Sequence, residues 1–324
     1  MFMRNPTFDI MKGIGILAVI IGHCSIPTLF RTFIFSWHMP LFFILGGFLY
    51  KETTSTLMIA KSARGLLLPY LCTCLVMSGL NYVFPYESSI HYHTITSIFI
   101  GSGSTSNPIM GDYFVGALWF LLALFWCRTI YNYISINIKN FMEKLIVIII
   151  LTILSIIISK YIFIPTDFLQ GVAALPFYFV GNITKQNRIP QLSFIVLFVT
   201  IIFAIVSLLL PPVGMVRNNY PCYPINFVTA ILLTLCIYHI SYIISNKNEY
   251  ISAFFAFIGK ISILILCIHI VELDYDPIPN LILKLNISIY GSLILIVLFR
   301  IVSVLLVSYL LYKFKFVRKL FSLK

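Results

Sequence analysis

The stretch 144–164, KLIVIIILTILSIIISKYIFI, decides the class of fold, because it is almost wholly apolar over the length of a membrane-crossing helix. A helix needs about 20 such residues to span a bilayer. Of the 324 residues in the chain, 60% are hydrophobic and 10% are charged, and the mean hydropathy is +1.01. A soluble domain carries about 25% charged residues. The composition therefore excludes an ordinary water-soluble protein.

Further apolar segments predict an all-α, polytopic integral membrane bundle of about ten transmembrane helices. Besides the first stretch, these segments are 10–28, 35–50, 65–84, 115–134, 168–184, 192–210, 224–245, 253–272 and 286–312. We expect one membrane-embedded domain over residues 1–324. We predict no removable signal peptide, because no basic n-region is followed by a cleavage site.

The basic residues predict how the helices are threaded. With the N-terminus inside, most lysines and arginines fall on the inner side, and only Arg31, Lys160, Arg217 and Lys284 fall outside. This asymmetry satisfies the positive-inside rule and places both termini in the cytoplasm. The net charge of +12 is thus explained by topology, and no nucleic-acid partner is predicted. The long outer loop 85–114 has no Lys or Arg, and a loop of that length is often functional.

The first segment contains charged groups that are costly inside a membrane and are therefore functional candidates. Asp9 and Lys12 are three residues apart, so they can pair on one helical face. Lys12 and His23 are separated by close to three helical turns, which puts them on the same side about 16 Å apart. The alternatives are a Lys12 side chain that snorkels to the surface and a His23 ring that bonds a neighbouring carbonyl in the core.

Other ionisable residues are predicted to lie near His23. The threading places His38, His269 and Glu272 at a similar depth, with His23 a little deeper. His269 and Glu272 are three residues apart, and a carboxylate that orients a histidine supports general-base catalysis. An interfacial pair is the alternative. Arg300 also needs a partner, and the candidates are Glu272 and the phosphate of a lipid or ligand.

Several motifs resemble the acyltransferase-3 family. Lys12-x10-His23 is similar to the family's Arg/Lys-x10-His signature, and FSWHMPLFF at 35–43 resembles its F-x-x-H-M-P-L-F-F block. Weaker matches follow in order at Arg64 with Pro69-Tyr70, Trp119-Phe120-Leu121, Pro176-Phe177-Tyr178, and Gly259-Lys260-Ile261-Ser262 through His269. The departures from the family pattern are Lys12 for the commoner Arg, Gly46 for Ser, and Cys267 near the position of the usual Tyr.

The resemblance implies a multi-pass enzyme of the bacterial cytoplasmic (inner) membrane, near the fucose-4-O-acetylase-like branch. Such an enzyme would move an acyl group, usually acetyl, from acyl-CoA to a hydroxyl of a cell-surface carbohydrate or glycolipid. Acetyl-CoA would be a co-substrate, and no cofactor would be bound permanently. The acceptor would be a sugar, a polysaccharide or a lipid-linked glycan, with membrane lipids as the surrounding partners. The seven cysteines form no metal-type cluster, so no metal is predicted.

The resemblance and the spacing together assign roles to nine residues. The predicted catalytic residues are His23, His38 and Glu272; the donor-binding residues are Lys12, Lys61 and Arg64; the acceptor-binding residues are Trp37, Trp119 and His269. Two alternative functions stay open: a polysaccharide or small-solute exporter without transferase activity, and a non-catalytic assembly subunit. Buried ionisable groups and interrupted helices also suit an exporter, although the sequence shows no pair of related halves.

Overall fold

The structure, a computed structural model, describes residues 6–84, 94–104, 113–186, 189–285 and 287–323. The regular structure in these ranges is helical, and the β-type pairing found there is limited to isolated bridges at Ser102–Phe114 and Gly214–Asn219. The helices are α1 (Pro6–Gly22), α2 (Thr28–Phe35), α3 (His38–Phe48), α4 (Ser55–Ser62), α5 (Leu68–Val83), α6 (Ile95–Ile100), α7 (Trp119–Asn137), α8 (Phe141–Ile158), α9 (Phe168–Ala173), α10 (Leu175–Gln186), α11 (Phe194–Leu209), α12 (Tyr223–Lys247), α13 (Glu249–Lys260), α14 (Ser262–Tyr275), α15 (Ile278–Leu283), α16 (Ile289–Tyr312) and α17 (Lys315–Leu320). The all-α prediction is confirmed for this part of the chain.

Six helical stretches among the described residues are long and apolar enough to cross a bilayer. They are Thr28–Phe48, Ser55–Val83, Gly116–Asn137, Phe141–Ile158, Tyr223–Lys247 and Ile289–Tyr312. The pair α13 and α14, which is bent by 69°, supplies a seventh crossing if the two helices act together. The three other predicted segments fall in α1, in α9 with α10, and in α11, whose helices are all shorter than 18 residues. These features describe a multi-pass membrane protein.

The helices belong to two compact units. The first comprises Met1–Phe42, Pro190–Val213 and Pro221–Lys324, and the second comprises Phe43–Ile189 and Gly214–Tyr220. Within the first unit, α1 packs mainly on α13 and α12, and α14 packs on α16. Within the second unit, α7 packs on α9 and α4, and α8 packs on α9. Of the long loop predicted at 85–114, residues 85–93 and 105–112 lie outside the described residues.

Helices α1 and α13 cross almost at backbone contact. A Cβ atom on Gly259 would lie 1.7 Å from the Asp9 carbonyl oxygen, and one on Gly13 would lie 2.3 Å from the Phe255 oxygen. Because both obstacles are backbone atoms, a side chain at either position would force the two helices apart. Small residues at membrane helix crossings allow this close approach. The crossing fixes α1, and therefore fixes the residues that α1 carries.

Gly259→Ala is expected to destabilise the first unit by about 2 kcal/mol or more, because the added methyl group overpacks a backbone crossing. The measurement is the thermal stability of the purified protein in detergent. The control is Gly79→Ala on α5, where a Cβ would have nothing within 4 Å. That variant should be as stable as the wild type or slightly more stable, since alanine favours a helix over glycine. Equal stability of the two variants would rule out the crossing.

Candidate active site

His23 lies directly after α1, and its ring is held in one orientation. The Nδ1 atom is 2.8 Å from the carbonyl oxygen of Val19. A carbonyl oxygen only accepts hydrogen bonds, so Nδ1 carries the hydrogen in the neutral ring and Nε2 carries the lone pair. The residue is half-buried. His23 therefore presents an unprotonated nitrogen at a partly accessible position, which is what a general base requires.

His38 begins α3 and adopts the same tautomer. Its Nδ1 atom donates to the Ile34 oxygen over 2.7 Å, and only 3% of the residue is exposed. The Phe35 ring contacts both histidines, with centroid distances of 4.9 Å to His38 and 6.3 Å to His23. The prediction that these two histidines are neighbours is thus supported, and Phe35 is a contact residue that sequence reasoning missed. The available signal was its position three residues before His38 in the F-x-x-H motif.

A third histidine reaches His23 from α14. The centroids of the His23 and His269 rings are 5.3 Å apart, and His269 is fully buried. Its Nδ1 atom lies 3.3 Å from Glu272 Oε2, which confirms the predicted pairing along the helix. The other carboxylate oxygen, Oε1, lies 3.3 Å from Arg300 Nε on α16. Three helices therefore bring two histidines, a carboxylate and a guanidinium into one cluster.

The cluster retains unused hydrogen-bonding capacity. Among the described residues, His269 Nε2 and Arg300 Nη1 are buried atoms without a hydrogen-bond partner. The ion pairs of Glu272 are close in distance but poorly aligned as hydrogen bonds. Buried polar groups are normally satisfied, and the exceptions often mark functional atoms. These groups could bond a polar ligand that sits beside His23.

The charged pair at the other end of α1 is also present. Lys12 Nζ lies 3.3 Å from Asp9 Oδ1, and 22% of the lysine side chain is exposed. Because α1 is one continuous helix over Pro6–Gly22, the spacing of about 16 Å between Lys12 and His23 follows from helix geometry. The pairing prediction is confirmed, and the cation is still partly accessible.

The remaining predicted site residues are distributed as follows. Lys61 and Arg64 are exposed in the second unit, with Lys61 in the last turn of α4 and Arg64 in a π-helical turn. Such turns occur frequently at functional sites. Trp37 in the first unit and Trp119 in the second are buried, with 5% and 6% exposed. The donor and acceptor roles of these four residues stay predictions. Within the described ranges, no group of three His, Cys, Asp or Glu residues could hold a metal ion.

The fold and the cluster define a multi-pass helical membrane protein with a histidine–carboxylate–arginine site. Residues 5–313 match the acyltransferase-3 family, described as an acyltransferase domain, so the chain belongs to this family. The chain is also similar to nodulation protein NolL of Sinorhizobium fredii (strain NBRC 101917 / NGR234), with 28% identity over 137 residues. That match covers 38% of this chain and 35% of NolL. No solved structure matches the chain.

Proposed function

We propose that this protein is a membrane-bound O-acyltransferase that moves an acyl group from acyl-CoA to a hydroxyl of a cell-surface carbohydrate or glycolipid. Acetyl is the expected acyl group. The family assignment supports the transferase class. The observation that carries the proposal is His23, which is half-buried, is held with Nε2 as its free nitrogen, and lies against the His269–Glu272 pair.

In the proposed reaction, His23 Nε2 accepts the proton of the acceptor hydroxyl. The hydroxyl oxygen attacks the thioester carbonyl carbon, the carbon–sulfur bond breaks, and coenzyme A leaves with the proton returned by the imidazolium. Histidine is the side chain most often used for such transfers. Glu272 stabilises the positive charge that develops on the His23 imidazolium, which lies against the His269–Glu272 pair. The unpartnered Nε2 atom of His269 holds the acceptor. His38 positions Phe35 against His23.

The donor is proposed to be attracted by cations. Acyl-CoA is anionic, and charge-assisted bonds to phosphate are strong. Lys12 is proposed to contribute from the start of α1, and Lys61 and Arg64, two of the exposed cations of the second unit, are proposed to serve the same purpose. A lysine at position 12 keeps the charge of the family's commoner arginine but lacks its bidentate geometry. Trp37 and Trp119 are the aromatic residues proposed for the acceptor.

We also propose a location in the bacterial cytoplasmic membrane, with ten crossings and both termini in the cytoplasm. The proposal adds α1, the α9–α10 pair, α11 and the bent α13–α14 pair to the six clear crossings. The distribution of lysine and arginine supports it through the positive-inside rule. On this topology Lys12 is on the cytoplasmic side, where acyl-CoA is found, and His23 lies towards the outer side.

The test is an assay of purified full-length protein with acetyl-CoA that carries a radiolabelled acetyl group and a glycan extract as acceptor. Transfer of label to glycan, together with stoichiometric release of free coenzyme A thiol, is the expected result. The same protein in proteoliposomes discriminates the alternative, because glycan flux without label transfer would favour an exporter. Mass spectrometry of surface glycans from cells with and without the protein would identify the modified hydroxyl.

A further inference from the structure

A cavity of about 320 Å³ lies within the second unit, and no residue of the histidine cluster lines it. It is formed by residues 102–104, by the turn between α8 and α9, by the first turn of α9, and by Val216 and Arg217. The volume is within the range of small-molecule sites, which is about 300–1,000 Å³. None of the nine predicted site residues lines it.

Two residues that line the cavity have hydrogen-bond acceptors that the protein does not satisfy. Asp167 is fully buried, and neither of its carboxylate oxygens has a hydrogen-bond partner of good geometry among the described residues. Gln170 is 6% exposed. Its Nε2 atom donates to the Val216 oxygen over 3.0 Å, whereas its Oε1 atom has no hydrogen-bond partner. A buried acceptor left unsatisfied costs about 1–3 kcal/mol. All three atoms belong to residues that line this cavity, and each is buried beneath its surface.

A structural role does not explain Asp167. It occupies the N-cap position of α9, where an aspartate normally accepts a backbone N–H, yet its side chain makes no capping bond. Its φ is +48°, and the preceding Thr166 has φ of +65°, which is rare for a β-branched residue. Thr166 is fixed there by its N–H bond to the Ile100 oxygen (2.7 Å) and by Trp126 Nε1, which donates to its hydroxyl over 2.9 Å. The fixed turn therefore holds Asp167 at the start of α9 without a capping bond from its side chain.

The backbone N–H of Gly103 interacts with the Asp167 carboxyl without forming a hydrogen bond of good geometry. Burial raises the pKa of Asp167 well above its usual range, and the Gly103 amide lowers it by less. A Cβ on Gly103 would lie 2.4 Å from Trp119 Cβ and 2.6 Å from a Val216 methyl group, so a glycine is needed for this approach. Further donors from a ligand would favour the ionised carboxylate.

The rim of the cavity carries the complementary groups. Arg217 is exposed and donates from Nε to Ser104 Oγ over 3.0 Å, and Lys160, which also lines the cavity, is exposed too. Phe163 adds a half-buried ring. Two cations around a single carboxylate disfavour a metal ion in the same space. Deep acceptors, donors at the rim and one aromatic ring match a ligand that has several hydroxyl groups on an apolar ring face.

We propose that this cavity is a carbohydrate-binding site, in which sugar hydroxyls donate hydrogen bonds to Asp167 and Gln170. The statement that the bound sugar belongs to the acyl acceptor rests on the proposed function. The statement that the cavity binds sugars does not depend on that function. On the proposed topology, all the segments that form the cavity lie on the outer side, where a cell-surface glycan is found.

The experiment measures binding and transfer separately. Saturation-transfer NMR on purified full-length protein in detergent is run with the methyl glycosides of fucose, mannose, glucose and N-acetylglucosamine. The wild type is expected to bind at least one of them, and Asp167→Asn should raise the dissociation constant about tenfold or more, as for loss of a hydrogen bond to a charged group. In the acetyl-transfer assay the same variant should raise KM for that glycoside and leave KM for acetyl-CoA unchanged.

Two further variants complete the test. Glu52→Gln removes a carboxylate from the same unit at an exposed pair with Lys139, and it should bind the glycoside like the wild type. Arg217→Gln alters an exposed rim residue and tests whether the cavity binds the glycoside if Asp167→Asn does not fold. This variant is expected to bind about threefold more weakly, from loss of one hydrogen bond. The site is overturned if the wild type binds none of the four glycosides, or if the folded cavity variants bind like the wild type. Intact sugar binding without acyl transfer to any acceptor would instead refute only the transferase proposal.

Discussion

Replacing His23 with alanine is expected to lower acyl transfer by about a hundredfold or more, which is the contribution of a positioned general base. Protein abundance and thermal stability should change little. The hydrogen bond of the side chain goes to Val19, one turn back in the same helix, and the ring is half-buried, so no distant element depends on it for a hydrogen bond. The measurement is kcat with saturating acetyl-CoA and glycan.

His239 offers a matched control for this prediction. It is also half-buried in the first unit, and its Nε2 atom also bonds a backbone carbonyl, that of Pro190, at 2.9 Å. His239→Ala should therefore retain wild-type activity. His23→Gln adds a second comparison, because glutamine fills much of the space and forms hydrogen bonds but cannot act as a base near neutral pH. Full activity in either His23 variant would refute the general-base role.

The parts of the site that lie within one helix could be predicted from the sequence. The pairing of Lys12 with Asp9 and of His269 with Glu272 depends only on residues three apart sharing a helical face. The apolar length of the segments likewise predicts the helices themselves, because a bilayer leaves few other structures for such a chain. For Arg300, the sequence offered two candidates, and the structure shows Glu272 beside it.

The parts that depend on packing between helices could not be predicted in this way. The contact between the rings of His23 and His269 follows from how α1 and α14 pack and from the bend between α13 and α14. The sequence predicted one uninterrupted apolar segment at 253–272, because apolar periodicity carries no signal for that bend. The carboxyl of Asp167 was missed for a related reason. Its position depends on an irregular turn with positive φ, and helical periodicity does not describe such turns.

The largest loss of stability is expected from Arg300→Met. The Arg300 and Glu272 side chains are only 11% and 8% exposed, so the variant leaves a buried carboxylate without its cation, beside His269. Removing one partner of a buried pair typically costs about 3–5 kcal/mol. The measurement is denaturant- or heat-induced unfolding of the purified protein in detergent. Transfer activity should fall as well, because Glu272 would no longer be held at the cluster.

The double variant Glu272→Gln with Arg300→Met separates the charge from the packing. It removes both charges, so it should recover much of the stability lost in Arg300→Met while acyl transfer stays low, since the carboxylate beside His269 is gone. The control is Glu52→Gln, which breaks the exposed Lys139–Glu52 pair of the second unit (65% and 49% exposed). An exposed pair contributes about 0–1 kcal/mol, so this variant should unfold like the wild type. If Arg300→Met were as stable as Glu52→Gln, Arg300 could not be the counter-charge of a buried Glu272. The carboxylate would then have to be neutral or exposed to water, and its proposed effect on His269 and His23 would be lost with it.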